Sequence, residues 1–147
     1  MTTKILLTIF IIGVLTGCGK DGVDSRPTLK IKSVSNDIVP LNGTLSFEFD
    51  FTDLEGDVSD TLYMKKIRLN KRITPTIRDS FKLKVPDAPS KQKGILRVEL
   101  GYQNFLITGN PPGTPENDTL LFRFVLKDKA NNKSDTAISE QIVIIRQ

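Results

Sequence analysis

Apolar and polar residues alternate along most of the chain from residue 28 onward. The clearest run is 45–51, where Leu45, Phe47, Phe49 and Phe51 take every second position and polar residues fill the gaps. A period of two residues is typical of a strand that buries one face and exposes the other. This run therefore predicts a half-buried strand whose aromatic side chains form part of a core.

The same alternation recurs in short segments that Pro, Gly, Asn and Asp separate. In one of them the period slips between Met64 and Ile67, which predicts a β-bulge. No segment has a helical period, and no alternation of strands with helices occurs. The pattern predicts an all-β sandwich of about seven or eight strands. The predicted strands cover residues 28–35, 45–51, 61–69, 81–85, 96–102, 120–126 and 138–145, with a Pro-interrupted edge segment at 73–78.

Four lysines fall on predicted strands at alternating positions. Lysine on an edge strand protects its unpaired backbone from pairing with another chain. The segments that carry these lysines are therefore expected to be edge strands. The lysines are Lys30, Lys32, Lys82 and Lys84.

The first residues have a different pattern. Lys4 is followed by residues 5–15, of which all but Thr8 and Gly13 are apolar. Eleven residues of helix cover only about half of a hydrocarbon core of roughly 30 Å. This pattern predicts a secretory signal rather than a permanent transmembrane helix.

The run ends in Leu15-Thr16-Gly17-Cys18, which resembles the lipobox of bacterial lipoproteins at all four positions. The resemblance implies that Cys18 carries a diacylglyceryl group and becomes the acylated first residue after cleavage. It also implies a bacterial cell envelope location, on the periplasmic or the surface face of the outer membrane. The expected organisation is a signal peptide at 1–17, a lipid anchor and tether at 18–27, and a domain at 28–147.

Composition limits the chemistry of the mature chain. Lys4 is the only charged residue of the signal, so 20 basic and 17 acidic residues leave a net charge of +3. An exported protein rarely meets nucleic acid, so we expect no nucleic-acid partner. The chain has one cysteine and no histidine or tryptophan. An intramolecular disulfide is excluded, and zinc or triad chemistry is disfavoured.

Two turns resemble those of bacterial Ig-like domains. Residues 128–134 resemble the Asp-x-Ala-Gly-Asn-x-Ser hairpin, with Asn131 in place of Gly. Asparagine tolerates positive φ well enough for this turn to form. Residues 52–57 resemble the Thr-Asp-Pro-Glu-Gly-Asp turn of cadherin-like domains, with Leu54 in place of Pro. With the anchor, the chain resembles small Bacteroidota lipoproteins with one domain, which implies an Ig-like antiparallel sandwich.

The second of these turns is a candidate calcium site. Asp53, Glu55 and Asp57 place three carboxylates within five residues, and Asp128 and Asn131 join them if the two turns meet at one end. Calcium takes six to eight oxygen ligands, often from alternating acidic positions. The alternative is an ordinary turn with solvated acids. Calcium is therefore the one cofactor that the sequence suggests.

The irregular segment 103–118 is a candidate partner-binding surface, with Tyr102 and Phe105 as its contact residues. Alternatively, residues 105–107 fold back onto the core. No constellation of residues indicates catalysis. We expect a lipid-anchored envelope protein that binds or scaffolds an envelope protein or polysaccharide. A calcium-dependent adhesion or assembly module is the first alternative, followed by a glycan-binding module or a carboxylate-based hydrolase.

Overall fold

The computed structural model describes residues 25–58, 60–70, 79–86, 92–107 and 116–146. Cys18 and the edge segment predicted at 73–78 lie outside the described residues. A single π-helical turn, Tyr102–Leu106, follows the sixth strand. No helix within the described ranges is long and apolar enough to span a membrane. The strands there are β1 Thr28–Val34, β2 Ile38–Val39, β3 Thr44–Thr52, β4 Thr61–Arg68, β5 Ser80–Lys84, β6 Lys93–Gly101, β7 Asp118–Lys127, β8 Ala137–Ile138 and β9 Ile142–Ile144.

The strands form two sheets. One sheet has the order β1-β3-β6, and the other has the order β2-β9-β7-β4-β5 with β8 paired to β7. In the smaller sheet β3 pairs with β6, and in the larger sheet β7 lies between β4 and β9. These neighbours correspond to strands B and E and to strands C, F and G of immunoglobulin-type sandwiches. The predicted all-β sandwich is confirmed. It has more strands than expected because β2 is only two residues long and the final segment divides into β8 and β9.

The core joins the two sheets through aromatic side chains. Phe47 and Phe49 of β3 face Phe122 and Phe124 of β7, and all four are fully buried. Ring centroids across the sheets are 4.7 to 5.4 Å apart, in tilted and edge-on arrangements. Such pairs are favourable beyond the burial of their area. The half-buried strand predicted at 45–51 is thus confirmed as the centre of the core.

The bulge predicted in β4 is wrong. β4 pairs with β7 in unbroken register from Thr61 opposite Lys127 to Arg68 opposite Leu120. The alternation is kept because Lys66 takes the inward position, with only 2% of its surface exposed. A register shift does occur, but in β1, between residues 31 and 33.

Two features expected from individual residue types are confirmed. Asn131 has a φ of 71°, as its place in the hairpin requires, and Asn42 has a φ of 58° in the turn before β3. β1 and β5 are edge strands of their sheets. The lysines of both therefore stand where they oppose pairing with another chain, namely Lys30, Lys32, Lys82 and Lys84.

Candidate functional site

Two loops place three carboxylates together at one end of the sandwich. Asp53 and Asp57 belong to the β3–β4 loop, and Asp128 follows β7. One carboxylate oxygen from each lies within 4.8 Å of the other two. The loops meet because β4 and β7 are antiparallel, so the beginning of β4 lies beside the end of β7. We call these three residues the acidic triad.

The β3–β4 loop is held by its own backbone. Gly56 has a φ of 71°, which favours glycine, and its N–H donates to the carbonyl of Asp53 at 3.3 Å. The N–H of Asp57 donates to Asp53 Oδ2 at 2.8 Å. At the other side, the N–H of Asp53 donates to the carbonyl of Gln92 at 2.7 Å, next to β6. The carboxylate of Asp53 is therefore fixed inside the turn.

The loop after β7 is held by Asn132. Its backbone N–H and its side-chain Nδ2 donate to the two oxygens of Asp128 at 2.7 and 3.0 Å. The same Nδ2 also lies 3.4 Å from the carbonyl oxygen of Ser25, within the expected tether. A bond of 3.3 Å from the N–H of Lys129 to the carbonyl of Asp57 joins the two loops.

The triad concentrates negative charge where two of its three carboxylates are buried and that of Asp57 is half-buried. Asp53 is 1% exposed and Asp128 is fully buried. Among the described residues, no donor reaches the buried Oδ1 atoms of Asp53 and Asp57. The pKa of Asp57 is raised, chiefly by burial and further by the negative charges of Asp128 and Asp53. Buried carboxylate oxygens without donors are unfavourable unless a cation approaches them.

Two of the five residues predicted for the metal site lie apart from the triad. Glu55 is exposed at the tip of its loop. Asn131 is also exposed, and its Oδ1 accepts a hydrogen bond of 3.1 Å from Lys127 Nζ. Asn132, which the sequence pattern did not indicate, instead holds Asp128. The signal that could have indicated it is an asparagine four residues after Asp128, because short polar side chains at such spacing close turns onto a backbone.

The two predicted partner-binding residues face the interior. Tyr102 is 4% exposed, and its hydroxyl donates to the carbonyl of Ile145 at 2.5 Å. Phe105 is partly buried against the core, with its ring 5.2 Å from that of Phe81. Leu106 is fully buried. Residues 105–107 thus adopt the core-facing alternative, and their side chains anchor the connection between β6 and β7.

A second cluster of charges, unforeseen from the sequence, lies at the opposite end of the larger sheet. Asp118 accepts from Arg68 Nη1 at 2.7 Å and from Arg146 Nη2 at 2.5 Å. Lys66 Nζ lies 3.8 Å from Asp79 Oδ1. Burial lowers the pKa of Lys66 to about 8, although the charge of Asp79 opposes this shift. The cluster links β4, β7 and the segment after β9, so its role is structural.

Fold and site together define an all-β, Ig-type sandwich with a largely buried acidic triad between two loops at one end. No protein-family model matches the chain. No curated relative matches it in sequence either.

Several solved structures resemble the fold. The β-glucosidase of Kluyveromyces marxianus in complex with glucose matches 84% of this chain at 12% identity and a TM-score of 0.49, but the chain spans only 14% of that enzyme. A CARDB domain from Pyrococcus furiosus in complex with di-metal ions matches 82% of this chain and 94% of its own, at 12% identity and a TM-score of 0.31. A Niemann-Pick type C2 protein from the Japanese carpenter ant matches 80% and 92%, at 7% identity and 0.39. Likenesses at this level carry no functional conclusion.

Proposed function

We propose that this chain is a lipid-anchored protein of the bacterial cell envelope whose Ig-like sandwich binds calcium and works by binding or assembly, without catalysis. The observation that supports calcium is the acidic triad with its bare oxygens. Asp53, Asp57 and Asp128 converge within 4.8 Å, and two of them hold a buried oxygen without a donor among the described residues.

The dimensions of the triad suit calcium. Calcium–oxygen distances are about 2.3–2.6 Å, so two ligands on opposite sides of one ion are about 5 Å apart. The oxygens of Asp53, Asp57 and Asp128 lie inside that limit. Backbone carbonyls and waters supply the remaining ligands of a calcium ion in such sites. Zinc prefers nitrogen and sulfur ligands, and the chain has no histidine.

A bound ion would act on the end of the sandwich where the two loops meet the tether. The triad joins the β3–β4 loop to the loop after β7, and Asn132 extends the contact to Ser25. Calcium would neutralise the mutual repulsion of the carboxylates and hold these three segments together. The domain would then leave its tether at a fixed angle, which suits a module that presents a surface to partners outside the membrane.

Burial of the triad supports a role other than catalysis. A carboxylate hydrolase needs two acids that face a substrate across an open cleft. Asp53 is 1% exposed and Asp128 is fully buried, so no polymeric substrate can reach both. Asp53 and Asp128 are accessible to a single metal ion such as calcium, but not to a sugar chain.

Calcium is expected to raise the melting temperature of the full-length chain purified in detergent. At a calcium concentration 100 times the dissociation constant, the gain in the free energy of unfolding is about 2.7 kcal/mol. For a domain of this size, with an unfolding entropy of about 0.25 kcal/mol/K, this corresponds to a shift of about 10 °C. The measurement is thermal unfolding followed by circular dichroism, after removal of metal with a chelator and again with added calcium or magnesium.

Two matched variants distinguish calcium binding at the triad from a general effect of acidic residues in the loop. Asp57→Asn should abolish the calcium shift, because it removes a ligand while keeping the shape of the side chain. Glu55→Gln removes one charge from the same loop but lies apart from the triad, so it should keep the full shift. An equal shift in both variants, or none in the unmodified protein, would refute the calcium site.

The anchor is supported by Leu15-Thr16-Gly17-Cys18 alone. Mass spectrometry of the native protein should show Cys18 at the amino terminus with two or three acyl chains, enough for stable attachment to a bilayer. Cys18→Ser should leave the precursor uncleaved and without a lipid. Cys18 with a free thiol in the native protein would refute the anchor and leave the calcium site untouched.

A further inference from the structure

The outer face of the larger sheet carries positive charge only. Along the described parts of β2, β4, β5, β7, β8 and β9, the residues that alternate with the buried ones include no acid. Lys133 forms an isolated bridge with Lys127, which brings it to the same face. We call this surface the basic face. Its outward basic residues on strands are Lys65, Lys82, Lys84, Arg123 and Lys127.

The opposite sheet shows that net charge does not explain this distribution. The outer face of β1, β3 and β6 mixes both signs. Lys32 lies 3.9 Å from Asp50, and Arg97 pairs with Glu48. This face is therefore close to neutral, whereas on the basic face Lys127 alone among the described cations on strands has an acid, Asp60, paired with it.

One arrangement on the basic face is unfavourable for the isolated domain. Lys65 of β4 lies directly opposite Arg123 of β7. Like charges at such positions repel each other and destabilise a sheet. Lys127, in contrast, has Asp60 at 2.5 Å. Lys65 and Arg123 form no ion pair with any described residue, so an anion bound between them would relieve their repulsion.

A groove runs across these charges. It encloses about 390 Å³ between β5, β4 and β7. Tyr63 is part of its lining, with the ammonium groups of Lys82 and Lys133 at 5.9 and 5.8 Å from its ring centroid. The groove thus has an aromatic and apolar floor with a cationic rim. Its lining includes Tyr63, Lys65, Lys82, Arg123, Val125 and Thr136.

We propose that the basic face binds an anionic polysaccharide, a sugar chain that bears carboxylate or sulfate groups. The rim cations Lys65, Lys82 and Arg123 would pair with the anionic groups, and the apolar floor at Tyr63 and Val125 would take the C–H faces of the sugar rings. The proposal depends on the proposed function only in that the domain acts by binding, and it is independent of calcium.

The shape of the site favours a polymer chain over a membrane. A bilayer is flat and cannot reach a floor that lies between strands, whereas a single sugar chain fits along the groove. An acidic peptide also matches the charge, so polyglutamate serves as the competing probe. Both are therefore treated as outcomes that would overturn the proposal.

The test uses the full-length chain in detergent, with heparin and polygalacturonate as probes in titration calorimetry. The double variant Lys65→Gln/Arg123→Gln should bind at least tenfold more weakly. The slope of log affinity against log salt should fall by about 2 for the two lost contacts, on the scale known for polyanion binding. The variant should melt at or above the temperature of the unmodified protein, because the repulsion between the two strands is removed.

The matched control is Lys30→Gln/Lys93→Gln, which removes two exposed cations from the opposite sheet. It should bind within about threefold of the unmodified protein, and a chelator should change neither result. The proposal is overturned if neither probe binds, or if both double variants lose affinity equally. It is also overturned if polyglutamate, or phosphatidylglycerol in the micelle, binds as tightly as the sugars. None of these outcomes bears on the calcium shift, so the two proposals fail separately.

Discussion

Replacing Phe49 with aspartate is expected to unfold the domain. Phe49 is fully buried, with its ring 4.7 Å from that of Phe124 and 5.9 Å from that of Phe47. Truncation of a buried phenylalanine costs about 3–5 kcal/mol, through lost transfer free energy and the cavity that remains. A carboxylate without a partner adds a further penalty. The sum is comparable to the whole stability of a small domain, about 5–15 kcal/mol.

Far-UV circular dichroism with a urea titration measures this effect. Thr44→Asp is the matched control, since it adds the same carboxylate to an exposed position of β3. That control should stay within about 0.5 kcal/mol of the unmodified protein. A soluble Phe49→Asp variant that still melts cooperatively would show that the aromatic block is not the centre of the core.

The second large effect concerns Lys66 and alkaline pH. The pKa of Lys66 is lowered from 10.5 to about 8, chiefly by burial. Between these pH values the unfolded chain binds more protons than the folded chain, so the contribution of Lys66 to the free energy of unfolding rises with pH. The rise amounts to about 3 kcal/mol. Relative to Lys66→Met, which cannot titrate, the unmodified protein should gain that amount from pH 8 to 10.5.

The measurement is urea unfolding of both proteins at a series of pH values. Tyrosines and exposed lysines titrate alike in the two proteins and cancel in the difference. Lys65→Met is the control, because Lys65 is the exposed neighbour of Lys66 on β4. Its difference from the unmodified protein should change much less with pH than that of Lys66→Met. A constant difference for Lys66→Met would mean that the Lys66 ammonium is solvated in the folded state.

The strands of the core could be predicted because their signal is local. In β3 each inward residue is an apolar residue two positions from the next, so the burial of Phe47 and Phe49 follows from the order of the chain. Lys66 broke the same rule in β4. Its ammonium is accommodated by the Leu106 carbonyl at 3.3 Å and the Phe81 ring at 5.4 Å. Phe81 is on β5 and Leu106 is in the π-helical turn, so the pattern of β4 alone could not predict these contacts.

The acidic triad was predictable in part for the same reason. Asp53 and Asp57 share one loop, and their spacing alone suggested a cation site. Asp128 joins them only because β4 pairs with β7 and brings the two turns together, and the sequence does not determine this pairing. Glu55 lies apart from the triad, and the alternation of acids along the sequence does not report the positive φ of Gly56, which turns the chain between Glu55 and Asp57.

The sequence shows each cation of the basic face, but it does not show that these cations share one surface. Which cations share a surface depends on strand order and register. Arg123 and Lys65 are 58 positions apart and become neighbours only through the pairing of β7 with β4. Charge summed along the chain gave a weak excess, and the structure separates it into a mixed face and a basic face.

The parallel pairing of β2 with β9 has a mechanical consequence. Its hydrogen bonds run from the Val143 N–H to the Asp37 carbonyl at 2.8 Å and from the Ile145 N–H to the Val39 carbonyl at 2.9 Å. Because the two strands point the same way, a force that draws the start of β2 away from the end of β9 loads both bonds in shear at once. A pull along the chain between Asp37 and Ile145 would therefore have to break both hydrogen bonds together rather than one after the other.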